Sequence, residues 1–459
     1  MTSNAAVLNP DLTPTTLPQA EERSPKAAMN DQAKAKRISE AKKSTAAAAF
    51  GTFLEYYDFS CYGYVAAMLS TRFFPSDNPT VSLLATMAVF GSAFVVRPFG
   101  GIFFGLIGDK FGRKASLLAT VILMGVISTC IGFLPTYEKI GIMAPILLVI
   151  FRLLQGFSAG GEIGSAASYI REWAPPERRS LYVSFIPSIA VLGKACAAGA
   201  AGLAAAMFVD QNSDWAWRTP FLLALPLMLG CLYLRLKIED SPEFSQLAKS
   251  GGLSQSPMKE LFSSYRASVS KLFCCSLVQN IGTYIGTVYV AVYLKMFLKM
   301  PTASVGLTVL IAITCAALLI PVFGYITDRV GAKKMLAASY IGYIVLSYPM
   351  YKLMGQGSLG LTIFALVVTM IPYTLCQAGS YAMYPELLPT RVRSTGVSFA
   401  HSLGAVIGGG VMPYLVTMMI DKTGDVMFPT YLLILTGFLG LATLASIKYA
   451  EPGDTRKFK

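Results

Sequence analysis

Charge is scarce in this chain. Asp, Glu, Lys and Arg make up 14% of its 459 residues, against about a quarter in soluble domains. A soluble chain of this length folds as two or three domains with charged surfaces. Too little charge is present to cover them, which excludes a water-soluble enzyme. Histidine occurs once, at His401. The cysteines (Cys61, Cys130, Cys196, Cys231, Cys274, Cys275, Cys315 and Cys376) lie in apolar stretches without metal-ligand spacing. They read as small buried hydrophobes, and no metal is expected. No G-x-x-x-x-G-K-[ST] loop is present, so ATP-driven transport lacks its phosphate cradle. Neither a nucleotide nor any other cofactor is expected, and DKTG at 421–424 is a chance match in a short loop. No apolar run precedes about residue 45, so a cleavable signal peptide is not expected.

Apolar residues, by contrast, make up 54% of the chain. A membrane span takes about 20 of them in a row. Runs of that kind sit near 46–70, 82–107, 115–135, 142–168, 181–208 and 218–236, and again near 270–294, 303–327, 335–353, 359–384, 395–420 and 427–447. The expected fold is an all-α membrane protein, with twelve transmembrane helices in two six-helix bundles, 45–237 and 269–449. A polar linker at 238–268 joins the bundles. Residues 1–44, Pro/Thr-rich and then Lys/Ala-rich, are expected to be a disordered N-tail, and 450–459 a short C-tail. With both termini cytoplasmic, 28 of the 38 Lys and Arg fall inside, 7 outside and 3 within spans. That bias matches the excess of cations in cytoplasmic loops. The net charge of +13 therefore points to a lipid bilayer, a bacterial inner membrane, and not to nucleic acid.

The halves repeat each other. GLIGDKFGRK places Gly105, Asp109, Lys110, Gly112, Arg113 and Lys114 after the second span. GYITDRVGAKK places Gly324, Asp328, Arg329 and Gly331 after the eighth. A second repeat joins the fourth and fifth spans of each half. In it Glu172, Pro175, Arg179, Ser180, Val183, Ser184 and Phe185 recur as Glu386, Pro389, Arg393, Ser394, Val397, Ser398 and Phe399. Two halves of parallel topology are related by an axis along the membrane normal. Such folds hold substrate at the midplane between halves and alternate by rocking one half against the other.

These motifs resemble the major facilitator superfamily. More narrowly, GTFLEYYDFSCYGY (51–64), RPFGGIFFGLIGDKFGRK (97–114), RLLQGFSAGGEIG (152–164), WRTPF (217–221) and PELLPTRVRSTGVSFA (385–400) resemble its metabolite:proton symporters. The resemblance implies a carrier for organic acids such as citrate, α-ketoglutarate or shikimate, or for zwitterionic osmolytes. Osmosensing members carry a long C-terminal coiled coil. This chain ends on AEPGDTRKFK, which favours the organic acid.

Ionisable groups inside spans are costly and mark functional sites by default. Glu55 and Asp58 lie three apart on one face of the first span, with Tyr62 continuing it. Desolvation and mutual repulsion suit such carboxyls to carrying a proton; a structural ion pair is the other reading. Arg152 heads the fourth span, with Gln155 and Glu162 near the same face. The resemblance implies that Arg152 competes with the proton for a carboxylate, unless it only staples helices. Arg97, before Pro98, either reaches the cavity or serves structure and gating. Lys194, near mid-span among small residues, meets either a substrate carboxylate or Glu162. In the second half, Asn280, Tyr284 and Thr287 share one face, and Tyr373, Gln377, Tyr381 and Tyr384 another. Both faces offer neutral hydrogen-bonding groups to a cavity or to packing. His401 is either a proton relay or a packing residue. The two glycine–aspartate loops are expected to form a charge latch that favours the outward-facing state.

The function expected is proton-coupled symport of a small carboxylate, with Glu55, Asp58 and Glu162 handling the proton. Arg97, Arg152, Lys194, Gln155, Tyr62, Asn280, Tyr284, Gln377 and Tyr381 are expected around substrate. Uptake of proline or betaine, or an uncoupled uniporter or exchanger on the same fold, is the alternative. A polytopic enzyme would need a clustered nucleophile and base, which the sequence lacks.

Overall fold

The computed structural model describes residues 25–208 and 214–447. Twelve long helical rods make it up. They are α1 (Pro25–Phe73), α2 (Pro79–Lys110), α3 (Arg113–Phe133), α4 (Met143–Trp173), α5 (Arg179–Met207) and α6 (Trp215–Leu236). After two short linker helices, Pro242–Lys249 and Pro257–Ser264, follow α7 (Arg266–Phe297), α8 (Thr302–Val330), α9 (Ala332–Met354), α10 (Leu359–Met383), α11 (Thr390–Thr423) and α12 (Phe428–Ser446). No strand occurs among the described residues.

Ten rods are long and apolar enough to cross a membrane. The other two, α1 and α9, carry more polar side chains on faces turned into the protein: Thr52, Glu55 and Asp58 on α1, and Ser339, Tyr340, Tyr343, Ser347 and Tyr351 on α9, all buried. The outward faces are apolar, with Phe99, Leu318 and Leu435 among the exposed side chains, as a lipid-facing surface requires.

One correction concerns the N-tail. The helix begins at Pro25, so residues 25–44 are helical and not disordered. The stretch is rich in Ala and Lys, both strong helix formers, and it propagates from an anchored rod without a fresh nucleus. At its inner end Ala41 and Ser44 are buried. The tail expectations for 1–24 and 450–459 lie outside the described residues.

Small residues set the helix contacts. A Cβ added to Gly156 or Gly160 of α4 would lie 2.0 Å from the Ala93 carbonyl oxygen or 1.9 Å from that of Arg97, so α2 and α4 touch backbone to backbone. Between halves, a Cβ on Gly105 would lie 2.5 Å from Thr395 Cα, and one on Gly324 2.2 Å from Ser184 Oγ. Helix α2 therefore packs on α11, and α5 on α8. Two rods depart from α geometry midway: α7 has π-helical turns at Ile285–Tyr289 and Tyr293–Phe297, and α11 has one at Val406–Val411.

Candidate functional site

Glu55 is 3% exposed, and neither of its carboxylate oxygens has a hydrogen-bond partner. It shares a small cavity between α1, α3 and α4 with Gly51, Thr120 and Glu162. Asp58, one turn on, accepts a 2.7 Å hydrogen bond from Gln155 Nε2. Gln155 also donates to Ser128 Oγ at 2.9 Å and accepts from Arg152 at 2.8 Å. Arg152 therefore reaches Asp58 only through Gln155, and the direct pair expected from the sequence is absent. The reason lies on α1 and α2: the Arg152 guanidinium sits over the rings of Tyr62 at 4.3 Å, Phe59 at 4.7 Å and Phe90 at 5.3 Å. Tyr62 is pinned by donating to the Thr86 carbonyl at 3.1 Å.

Glu162 does not meet Lys194, which corrects a second expectation. It is held instead by Arg235 of α6, with one N–O distance at 3.2 Å and a closer contact through the other nitrogen, and by Thr120 Oγ1 at 2.6 Å. Arg235 is completely buried. In sequence it lies near the basic end of its rod and reads as a loop cation.

Lys194 is partly accessible, and no carboxylate of the described residues pairs with it. Its ammonium lies 5.3 Å from the Tyr56 ring centre and 5.8 Å from that of Tyr284. Arg97 lies over Phe59 at 4.4 Å and Phe94 at 4.8 Å, and Phe94 meets Tyr284 edge-on at 5.6 Å. Two cations and four ring faces thus meet where α1, α2 and α5 face α7. Tyr381 reaches across into the first-half cluster that holds Ile163 and Ala166 and that Tyr56 packs against, and its ring lies 6.2 Å from His401.

The other second-half candidates are mostly occupied. Asn280 donates to the Ser276 carbonyl at 2.9 Å. Gln377 donates to Thr283 at 3.0 Å and accepts from Gln279, whose own carbonyl takes the Tyr384 hydroxyl at 2.6 Å. His401 Nδ1 lies 3.2 Å from Ser276 Oγ. Gln279 escaped the sequence reading because its partners stand about a hundred positions away, with no local pattern to mark it.

At the motif face the repeats interlock. Asp109 accepts from the backbone N–H of Ser394 and Thr395 and from the Thr395 hydroxyl, at 3.2, 2.9 and 2.7 Å. Asp328 accepts from the N–H of Ser180 and Leu181 at 2.7 and 3.0 Å. Arg113 is completely buried, 2.5 Å from Asp109, and donates to the Thr390 carbonyl at 2.6 Å. Gly112 has φ +106°, and a Cβ there would lie 1.8 Å from Asp240; Gly331 repeats the turn at φ +91°. Lys114 donates to the Leu236 carbonyl. Lys110 is exposed, and Arg329 lies over the Tyr325 ring on its own helix, so neither joins the latch.

The linker enters this network, although its composition reads as a plain tether between the bundles. Glu172 binds Arg393 at 2.7 Å and takes the Ser241 hydroxyl. Glu243 lies 2.9 Å from Arg393, 3.2 Å from Arg179 and 3.9 Å from Arg171. Burial pushes the Glu243 carboxyl up, but Arg393, with Arg171 and Arg179 behind it, outweighs that and holds it below its ordinary range.

The Major Facilitator Superfamily model matches residues 48–413 and 272–458. The chain belongs to that superfamily. It is similar to the proline/betaine transporter of Escherichia coli (strain K12), 34% identical over 421 residues, covering 89% of this chain and 83% of that protein. It is 33% identical over 415 residues to the glycine betaine/proline/ectoine/pipecolic acid transporter OusA of Dickeya dadantii, covering 88% and 82%. To a putative proline/betaine transporter of Staphylococcus aureus (strain COL) it is 32% identical over 425 residues, covering 91% and 90%. Among solved structures, the fold matches a double-tryptophan mutant of XylE with TM-score 0.71, at 17% identity, over 89% of this chain and 95% of that one.

The protein is thus a multi-pass membrane transporter of this superfamily. The names of these relatives answer to the osmolyte alternative and not to the carboxylate reading put first. The match covers 90% of the Staphylococcus relative's length, which leaves that relative little room for a long C-terminal coiled coil.

Proposed function

We propose that the protein imports a zwitterionic solute of the proline or betaine class with protons, by alternating access across a bacterial inner membrane. The cation–aromatic centre carries this reading. Arg97 and Lys194 offer positive charge to one carboxylate, and the Tyr56 and Tyr284 faces beside them suit a substituted ammonium. The unpaired carboxyl of Glu55 lies within electrostatic reach of Arg97. The relatives' names point the same way.

Proton coupling rests on Glu55 and Asp58, acids kept in a desolvated helix bundle without a direct cationic partner. The basic bias of the motif face makes it cytoplasmic, and its latch holds the carrier closed on that side. The test is uptake into proteoliposomes of labelled proline, glycine betaine and citrate, with and without an inward proton gradient. Proline or betaine should accumulate only with the gradient. Accumulation of citrate alone, uninhibited by either zwitterion, overturns the reading.

A further inference from the structure

Glu162 and Arg235 form a buried ion pair that the transport reading has not used. Arg235 comes from α6, yet its guanidinium lies against α1. A Cβ on Gly51 would stand 1.6 Å from one of its nitrogens and 2.8 Å from Glu162 Oε1. Gly51 is thus a notch in α1 that admits the guanidinium. Glu55 follows Gly51 by four residues, hence on the same helix face one turn away. Its carboxylate faces the cavity that Glu162 also lines, and it has no partner of its own.

We propose that Arg235 is a counter-ion shared by two acids, and that it sets the proton affinity of Glu55. With Glu55 protonated, Arg235 binds Glu162, the arrangement seen here. When Glu55 releases its proton to water, two carboxylates face one guanidinium. Arg235 then turns through the Gly51 notch to bridge both. The charged groups within reach of Glu55 are Arg97 on α2, Glu162 on α4, Arg235 on α6 and Asp58 on α1; α3 contributes the neutral Thr120, which donates to Glu162. Arg97 faces the ring cluster at the substrate centre, so Arg235 is the cation on the side away from substrate. It acts as a positioning residue and touches no substrate.

This inference rests on the proton-coupled reading, and the experiment separates the two. Counterflow of labelled proline, and of glycine betaine in parallel, is measured across pH in proteoliposomes, together with the proton flux that accompanies uptake. Removing the cation in Arg235→Gln should move the alkaline limb of the profile upward. Removing the competing acid in Glu162→Gln frees Arg235 for Glu55 and should move it downward. Each displacement is about one pH unit, tenfold in proton affinity. Gly51→Ala crowds the guanidinium out of its notch and should move the limb upward as well, which keeps the test open if Arg235→Gln folds poorly. Opposite signs are the signature, because a merely structural pair damages both variants alike. Unchanged profiles, or displacements of the same sign, overturn the proposal. Wild-type uptake without proton flux overturns the coupling reading itself, and this inference with it.

Discussion

Asp109 and Asp328 occupy the same place in the two halves, and each caps the first turn of a helix in the other half. Asp109 takes the N–H groups of Ser394 and Thr395, and Asp328 those of Ser180 and Leu181. Ser180 and Ser394 are themselves counterparts in the second repeat. An anionic side chain at a helix N-terminus satisfies orphan donors and complements the helix dipole. The same interaction thus closes the motif face twice. The symmetry is broken one turn later, where Arg113 in the first half is answered by Ala332 in the second.

That difference ranks two substitutions. Asp109→Asn removes a completely buried carboxylate that binds Arg113 and takes three hydrogen bonds from the other half; Arg113 keeps Glu172 at 3.4 Å, so the cost is that of weakened charged hydrogen bonds, on the order of 2–3 kcal/mol. Asp328→Asn keeps one acceptor oxygen and loses at most one of the two backbone hydrogen bonds at a more open site, on the order of 1 kcal/mol. Turnover should fall at least tenfold in Asp109→Asn and only a few-fold in Asp328→Asn, with equilibrium substrate binding retained in both. Binding titration alongside initial-rate uptake checks this. Normal turnover with weakened binding in Asp109→Asn contradicts the latch.

Glu55→Gln and Asp58→Asn should each abolish accumulation against a gradient while leaving exchange of internal for external substrate largely intact. Exchange does not require release of the proton. The amide at 58 can still accept from Gln155, so folding is preserved. If both variants still accumulate proline or betaine, the coupled proton travels elsewhere.

Much of this architecture was legible in the sequence because it is local. Apolar runs mark the rods, cation counts order their ends, and two repeats bring Asp109 and Asp328 to light. The pairing of Glu162 with Arg235 was not legible. A cation at the end of an apolar run reads as a loop residue, and only the fold shows it turned inward past Gly51. Gln155 was visible as a neighbour of Arg152 but not as the group standing between it and Asp58. The linker looked like a tether of Ser, Gly and Pro. Asp240, Ser241 and Glu243 became part of the latch only when α3, α4 and α11 converged on them. The N-tail failed differently: composition suggested disorder, while continuity with α1 makes residues 25–44 helical.

Glu243 makes the latch pH-dependent. Its carboxyl is lowered in the closed state, so its contribution is complete above its ordinary value near 4.5 and is lost as pH falls through the lowered one. Glu243 is 30% exposed, and solvent screening limits the effect to about 1 kcal/mol. Glu243→Gln should therefore open the motif face several-fold more often at pH 7, with the gap from wild type shrinking below pH 4. Accessibility of a cysteine placed in the motif-face cavity reports this. A gap that widens on acidification contradicts the assignment.

The substrate centre should separate its two charged ends. Lys194→Gln removes one of the two cations offered to the carboxylate, so proline and glycine betaine should lose affinity alike, by tenfold or more. Tyr284 acts on the other end. A quaternary ammonium has no N–H to donate and depends on ring faces, a contact worth roughly 0.5–2 kcal/mol. The secondary ammonium of proline can donate hydrogen bonds instead. Tyr284→Leu, which keeps apolar bulk but removes the ring, should therefore weaken betaine several-fold more than proline. Competition against labelled proline, with both ligands titrated on both variants, resolves the pattern. Equal losses in Tyr284→Leu, or normal binding in Lys194→Gln, place the zwitterion elsewhere in the cavity.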